Sequence, residues 1–246
     1  MPLPQETLEY IVGILGRKDN NLSALRACAA ASKRLRFLAQ KYIFRKVAIS
    51  KFNQAKALAT VLHTNPLLGG HVKYFKMCGV PPTDHGPTLY SFLRRFSNLD
   101  FLSCDGICLT ADGASSATKT VTSVVINGTF DITSLFNLLR HITPLRELSL
   151  CPSGGHGRIM PARHAPDFVA LMPIISVAVL RVLLRKRASN FLPTLQASSL
   201  VHLHSVIQPG SYEPWQRIFD ASTSLTIVEL TMINQSDGDP CPFLFH

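Results

Sequence analysis

Apolar residues in the first 50 positions recur at helical spacing, and the spacing is interrupted twice. The first series falls at i, i+3, i+4 and i+7, on one stripe of an amphipathic helix, and comprises Leu8, Ile11, Val12 and Leu15. A second series follows the polar break at 19–21, and a third follows Ser32. The apolar residues Phe44, Val47 and Ile49 then indicate an extended segment. The pattern predicts three short helices followed by an extended segment.

The rest of the chain repeats one apolar pattern. A helical stripe followed by two leucines occurs at 89–102, returns 46 residues later, and returns more weakly after another 80 residues. Each copy leads into a short strand, of which 146–150 and 227–232 are the clearest. The apolar residues that anchor these strands are Val72, Leu99, Val121, Leu145, Leu180, Leu200 and Leu225. Successive anchors lie 27, 22, 24, 35, 20 and 25 residues apart.

These steps distinguish two parallel-sheet architectures. A βαβ unit takes about 30 residues or more, whereas a leucine-rich repeat takes roughly 20–29. Five of the six steps fit the shorter unit, and the longest contains the Gly/Pro-rich run CPSGGHGRIMPARHAP, which predicts a loop. We therefore expect an α/β repeat fold: a three-helix module over residues 1–50 and an irregular leucine-rich-repeat solenoid over 51–246. Because the end DGDPCPFLFH has no clear capping repeat, we expect the solenoid to be truncated there.

Composition excludes several classes of protein. With 46% hydrophobic and 16% charged residues, the 246-residue chain is not disordered as a whole. Its most apolar run, 168–180, contains Pro173 and is shorter than the roughly 20 residues that span a bilayer, so no membrane partner is expected. The start MPLPQETLEY does not resemble a secretory signal, and six irregularly spaced cysteines favour reduced thiols. We expect an intracellular protein, cytoplasmic or nuclear.

The positive charge is confined to the front of the chain. Of the formal net charge of +10, residues 1–97 carry +11 and residues 98–246 carry −1. This asymmetry predicts an acidic partner for the front. The short basic runs at 33–36 and 185–187 lack interleaved aromatic residues and any DNA-reading motif, so no nucleic-acid partner is expected.

Motifs that carry chemistry are missing from the sequence. It has no GxSxG, Walker-type or HExxH motif, and the glycines of SGGHG at 153–157 are not followed by Lys-Ser or Lys-Thr. Cys104 and Cys108 lack a second ligand pair, and His202 and His204 lack a third ligand. We expect no catalytic residue, cofactor or metal. A hydrolase that uses Ser153 or Cys151 is the least favoured alternative.

Two segments of the front resemble a known family. LPQETLEYIVGIL and NLSALRACAAASKRLRFLAQKYIF are similar to an F-box, with its Leu-Pro-x-Glu-x-Leu start, its Leu-x-x-Leu-x-x-Cys core and its basic, aromatic third helix. The ending LAQKYIFRKV, with NPLLGGHVKYFKM downstream, resembles the F-box proteins abundant in mushroom-type basidiomycete fungi. The resemblance covers about 50 residues well and extends loosely to about residue 77.

This resemblance implies a partner rather than a reaction. F-boxes dock on the Skp-type linker subunit of a cullin–RING ubiquitin ligase, and the family of this linker is acidic. A leucine-rich solenoid that follows an F-box selects the target. By carry-over, the residues that form or support the docking surface are Leu3, Pro4, Leu8, Ile11, Leu15, Leu22 and Leu25. Leu3 and Pro4 are expected to make direct contact because they precede the helical stripe. The expected function is a substrate adaptor of an SCF-type ligase for an unidentified target, in ubiquitin-dependent degradation. The alternative is a leucine-rich interaction scaffold with a degenerate F-box.

Overall fold

The computed structural model describes residues 3–18, 21–79, 88–106, 120–127, 145–151, 178–183, 200–207 and 222–232, with a few single positions between them. Three helices come first and an eight-stranded parallel sheet follows, so the fold is mixed α/β. Several segments discussed above lie outside the described residues: Cys108, the Gly/Pro-rich run from residue 152 to 166 with Ser153, the apolar run before residue 178, the basic run 185–187 and the C-terminal run 237–246.

The three predicted helices are present at the front of the chain. They are α1 (Gln5–Arg17), α2 (Leu22–Ala31) and α3 (Lys33–Ile43). Ser32 separates the last two because its hydroxyl accepts a hydrogen bond from the Leu35 N–H, 3.1 Å away, and so caps α3. The helices enclose a small core of their own, which we call the module core: Val12, Leu25, Leu38 and Ala39.

Glycine allows α1 to approach α3 closely. A Cβ placed on Gly16 would lie 2.0 Å from Cδ1 of Tyr42, far inside van der Waals contact. One turn earlier, a Cβ on Gly13 would lie 3.4 Å from the Tyr42 hydroxyl, which is tight but tolerable. The Tyr42 ring therefore occupies the space that a side chain at position 16 would need.

In the described part of the chain, eight strands pair in the order in which they occur along the sequence, all of them parallel. They are β1 (Lys46–Ile49), β2 (Tyr74–Cys78), β3 (Phe101–Asp105), β4 (Ser123–Asn127), β5 (Glu147–Cys151), β6 (Val179–Leu183), β7 (His202–Ile207) and β8 (Ile227–Met232). The described connections contain α4 (Phe52–Thr64), a 3-10 helix at Pro66–His71 and α5 (Leu89–Leu93). β1 lies within residues 1–50, yet it pairs with β2 and forms the first strand of the sheet.

Apolar side chains at matching register positions form the core of the sheet. The second residue of each strand from β2 to β7 is completely buried, and together these six residues form what we call the apolar ladder: Phe75, Leu102, Val124, Leu148, Leu180 and Leu203. A parallel row two residues further on is also buried from β1 to β5: Ile49, Met77, Cys104, Ile126 and Leu150. Because strand side chains alternate, the first and third residues of each strand lie on the other face of the sheet, which we call the open face. Its first row is exposed or half-buried, whereas Ser103, Val125 and Ser149 in its third row are buried.

The predicted strand anchors are in phase with the sheet except at one position. Six of them precede the first paired residue of a strand by two positions, as Leu99 precedes Phe101. Leu180 does not, because it lies inside β6 and pairs with Leu148. Equivalent first residues therefore lie 28, 27, 22, 24, 32, 23 and 25 residues apart from β1 to β8. The run before Arg181 offers apolar residues at many positions, so hydropathy alone misplaced the anchor there.

One backbone hydrogen-bond arrangement recurs at the start of every step. The carbonyl of Arg45, directly before β1, accepts the N–H groups of both Lys73 and Tyr74, at 2.9 and 3.0 Å. The same double acceptance recurs between each later pair of neighbouring strands, with these acceptors: Lys73, Asp100, Thr122, Arg146, Ala178 and Val201. Each strand thus fixes the entry point of the next, and the same hydrogen bonds define the register in which the two strands pair.

Replacing Gly16 by Ala should destabilise the helical module by about 1–3 kcal/mol, because the new methyl group overlaps the Tyr42 ring. Urea unfolding followed by far-ultraviolet circular dichroism measures the change. Gly13→Ala is the matched control, and there we expect a neutral or stabilising effect because alanine favours a helix over glycine. Equal stability of Gly16→Ala and the native chain would show that the close approach of α1 and α3 is wrong.

Candidate functional site

The seven residues predicted to dock the linker divide between the surface and the module core. The exposed members are Leu3, Pro4, Ile11 and Leu22. Leu8 and Leu15 are half-buried and pack against the module core, and Leu25 is part of that core. The first group is available to a partner, whereas the second holds the helices together.

A second apolar surface lies on α1, apart from the stripe that packs inward. Its members are Tyr10, Ile11 and Ile14, which we call the outer face of α1; Tyr10 is 70% exposed. Tyr10 and Ile14 are four residues apart, and Ile11 and Ile14 are three apart, so all three lie on one side of the helix. Leu3, just before the helix, is 53% exposed. Sequence reasoning missed Tyr10 and Ile14 because it counted only the inward stripe.

The open face of the sheet carries polar and aromatic side chains. At its front, the ring of Tyr74 lies 5.7 Å from that of Phe101, measured between centroids. Further along, the hydroxyl of Ser123 donates to Glu147 Oε2 at 3.0 Å. His202 Nε2 lies 3.8 Å from Glu229 Oε2 near the last strand. This face is mixed in chemistry, without the dense positive charge of the front.

A cleft lies where the helical module meets the sheet. Its cavity of about 400 Å³ lies between the end of α3 and the start of β2, and we call it the junction cleft. The residues that define it are Lys41, Tyr42, Arg45, His71, Lys73 and Tyr74. A neighbouring cavity of about 340 Å³ shares Tyr42, Arg45 and Tyr74 and extends to Arg17, Lys18 and Leu22. Sequence reasoning did not bring these residues together.

Positive charge dominates the junction cleft. The described lining of the two cavities contains six Lys or Arg residues and one acid, Asp100, which lies 3.2 Å from Lys73 Nζ. Burial lowers the pKa of His71, and the charge of Lys41 lowers it further. Both effects favour neutral His71 at neutral pH, so the positive charge of the cleft comes from lysine and arginine.

Two of the described thiols, those of Cys78 and Cys104, are poorly suited to chemistry. Burial raises the pKa of Cys104 to about 12, with a smaller contribution from Cys78. Burial also raises the pKa of Cys78, and Asp105 adds to this while Lys76 opposes it. Thiolates are the nucleophilic and metal-binding form, so neither residue is activated. Within the described part of the chain, no three His, Cys, Asp or Glu residues are grouped to hold a metal ion.

Comparisons with known proteins gave no relative for this chain. No family model, curated protein or solved structure matches it. Among the helices that the structure describes, none combines the length and the apolar character needed to cross a bilayer.

Cys104 should resist alkylation in the folded protein, at pH 7 and at pH 9 alike, because it is buried and its pKa is about 12. Cys28, which is partly exposed, should be labelled and serves as the internal control. Iodoacetamide treatment followed by peptide mass spectrometry measures each thiol separately, and guanidinium should make Cys104 as reactive as Cys28. Labelling of Cys104 at the rate of Cys28 without denaturant would contradict its burial in the sheet core.

Proposed function

We propose that this chain is a substrate adaptor of an SCF-type cullin–RING ubiquitin ligase. In this proposal residues 1–50 act as an F-box that docks on a Skp-type linker and, through it, on a cullin. The sheet-forming part acts as a leucine-rich-repeat solenoid that holds a target protein. The observation that carries the proposal is the exposed apolar surface of α1, next to a helical module with a separate, filled core.

The outer face of α1 has the properties of a docking surface. Exposed apolar groups that adjoin one another gain free energy when a partner removes them from water, at about 25 cal/mol per Å². Tyr10 offers a large ring with a polar hydroxyl, a combination enriched where partners bind tightly. The acidic character implied for the linker family complements the +11 charge of residues 1–97.

Three features of the sheet support the solenoid. Strands pair in chain order, and six of the seven steps between equivalent residues are 22 to 28 residues, within the roughly 20–29 of leucine-rich repeats. The double hydrogen bond at the start of each strand repeats with the sheet. The apolar ladder buries each unit against its neighbours, as stacked repeats require.

An adaptor contributes proximity instead of a reaction. By binding the linker with one surface and the target with another, the chain would raise the effective concentration of target lysines near the ubiquitin-charged enzyme. The two surfaces need only be rigidly connected, and β1 supplies the connection because it follows α3 directly and pairs with β2. The chain needs no catalytic residue or cofactor of its own for this role.

Co-expression with a Skp-type linker, followed by affinity capture, tests the proposal. We expect the native chain to be captured, and Leu3→Ala/Pro4→Ala and Tyr10→Ala/Ile14→Ala each to weaken capture about tenfold or more, because each pair removes exposed apolar contact area. The matched control is Leu67→Ala/Val61→Ala, which truncates exposed apolar residues outside the three-helix module and should leave capture unchanged.

Circular dichroism must show that each variant is folded, since Leu25→Ala is expected to lose capture merely by unfolding the module core. Failure of the folded native chain to bind the linker would overturn the ligase assignment. The chain would then be an interaction scaffold whose F-box-like module is degenerate.

A further inference from the structure

The junction cleft carries more positive charge than the acidic groups described around it neutralise. Lys73 is paired with Asp100, and Lys41 Nζ lies 5.4 Å from the centroid of the Phe37 ring. For the Arg45 guanidinium, by contrast, no ion pair or hydrogen bond is found among the described residues. Among the described residues that line the junction cleft, Asp100 is the one acid against Lys41, Arg45 and Lys73, so an anion entering the cleft would meet uncompensated charge.

Backbone contacts fix Arg45 in position. Its N–H donates to the Tyr42 carbonyl at 3.2 Å, and its own carbonyl accepts from Lys73 and Tyr74. The residue is thus anchored to the end of α3 on one side and to the sheet on the other. The Phe44 N–H donates to the Gln40 carbonyl, so the last turn of α3 is capped by the backbone and does not require the Arg45 side chain. These contacts position the backbone at residue 45, and the exposed Arg45 guanidinium offers paired N–H donors that match a carboxylate.

The shape and the charge distribution favour a short peptide over a nucleic acid. Three of the six basic side chains line the cavity of about 400 Å³ at the edge of the sheet, and Tyr74 connects this cavity to the open face through its contact with Phe101. Along that face the next strands present Asp105 and Glu147. An extended polyanion would meet these acids, whereas a peptide can place its acidic residues in the cleft and its other side chains on the mixed face.

We infer that the junction cleft binds a short acidic segment of a partner protein, with Asp or Glu carboxylates on Arg45 and Lys41 and the neighbouring residues against Tyr74. Insofar as this partner is the ligase target, the inference rests on the proposed function. Binding of the acidic segment itself depends only on the cleft. We also expect the bound segment to stabilise protonated His71, because a nearby carboxylate opposes the effects that lower the pKa of His71.

Fluorescence anisotropy with the full chain and a labelled glutamate-rich peptide tests the inference. We expect saturable binding that weakens with added salt, and none with the same peptide carrying glutamine in place of glutamate. Arg45→Glu should weaken binding roughly tenfold or more. Arg26→Glu is the matched control, because Arg26 is exposed on α2 and lines neither cavity. This substitution changes the net charge by the same amount as Arg45→Glu. It should bind as the native chain does.

Arg45→Gln keeps the test decisive if the charge reversal fails to fold, and it should also weaken binding. A second readout is the His71 pKa followed by nuclear magnetic resonance, which the glutamate peptide should raise and the glutamine peptide should not. The inference is overturned by absent binding, by equal binding of both peptides, by equal losses in the Arg45 and Arg26 variants, or by a single-stranded oligonucleotide that binds more tightly than the peptide. Linker capture and peptide binding are measured in separate experiments. If the peptide does not bind, the result for linker capture still stands, and if the linker is not captured, the result for peptide binding still stands.

Discussion

Six apolar side chains, one from each strand between β2 and β7, lie at the same register position and are fully removed from water. Shifting any one strand by a single residue would move its buried side chain out of the core and bring in a residue of the open face, such as Lys76 in β2 or Ser103 in β3. This ladder therefore fixes which residues of every strand face outward. The Tyr74–Phe101 pair and the Ser123–Glu147 hydrogen bond lie on the open face as a consequence.

The helical module is attached to this sheet through β1. Ile49 is buried in the sheet core, and Phe44 and Val47 pack against it, so the end of α3 cannot move freely relative to β2. The module core is separate and contains no residue of the sheet. Two consequences follow: the outer face of α1 remains exposed, and the junction cleft is bounded by two elements whose relative position is fixed.

Local periodicity predicted much of the fold. The three helices, the break at Ser32 and the strand at 227–232 follow from spacing that neighbouring residues determine. Leu180 was assigned to the wrong phase because a continuous apolar run offers several equivalent anchors. Ile11, which its spacing put on the same helical stripe as Leu8, Val12 and Leu15, is 42% exposed, because the line through those three residues faces the module core and leaves Ile11 at its edge.

The candidate sites were less accessible to sequence reasoning because they depend on contacts between distant residues. Lys41, Lys73 and Asp100 line one cleft although they are far apart in the chain. The +11 charge of residues 1–97 indicated an acidic partner without locating it. Tyr10 and Ile14 look like ordinary helix residues until α2 and α3 are seen to cover a different side of α1.

In the proposed function the outer face of α1 docks the linker while the sheet remains free. This arrangement can be tested by amide hydrogen exchange of the full chain, alone and with a Skp-type linker. We expect slower exchange in the peptides that cover residues 3–17 and unchanged exchange in those that cover β2 to β5. Protection confined to the strands, or no change anywhere at saturating linker, would contradict it.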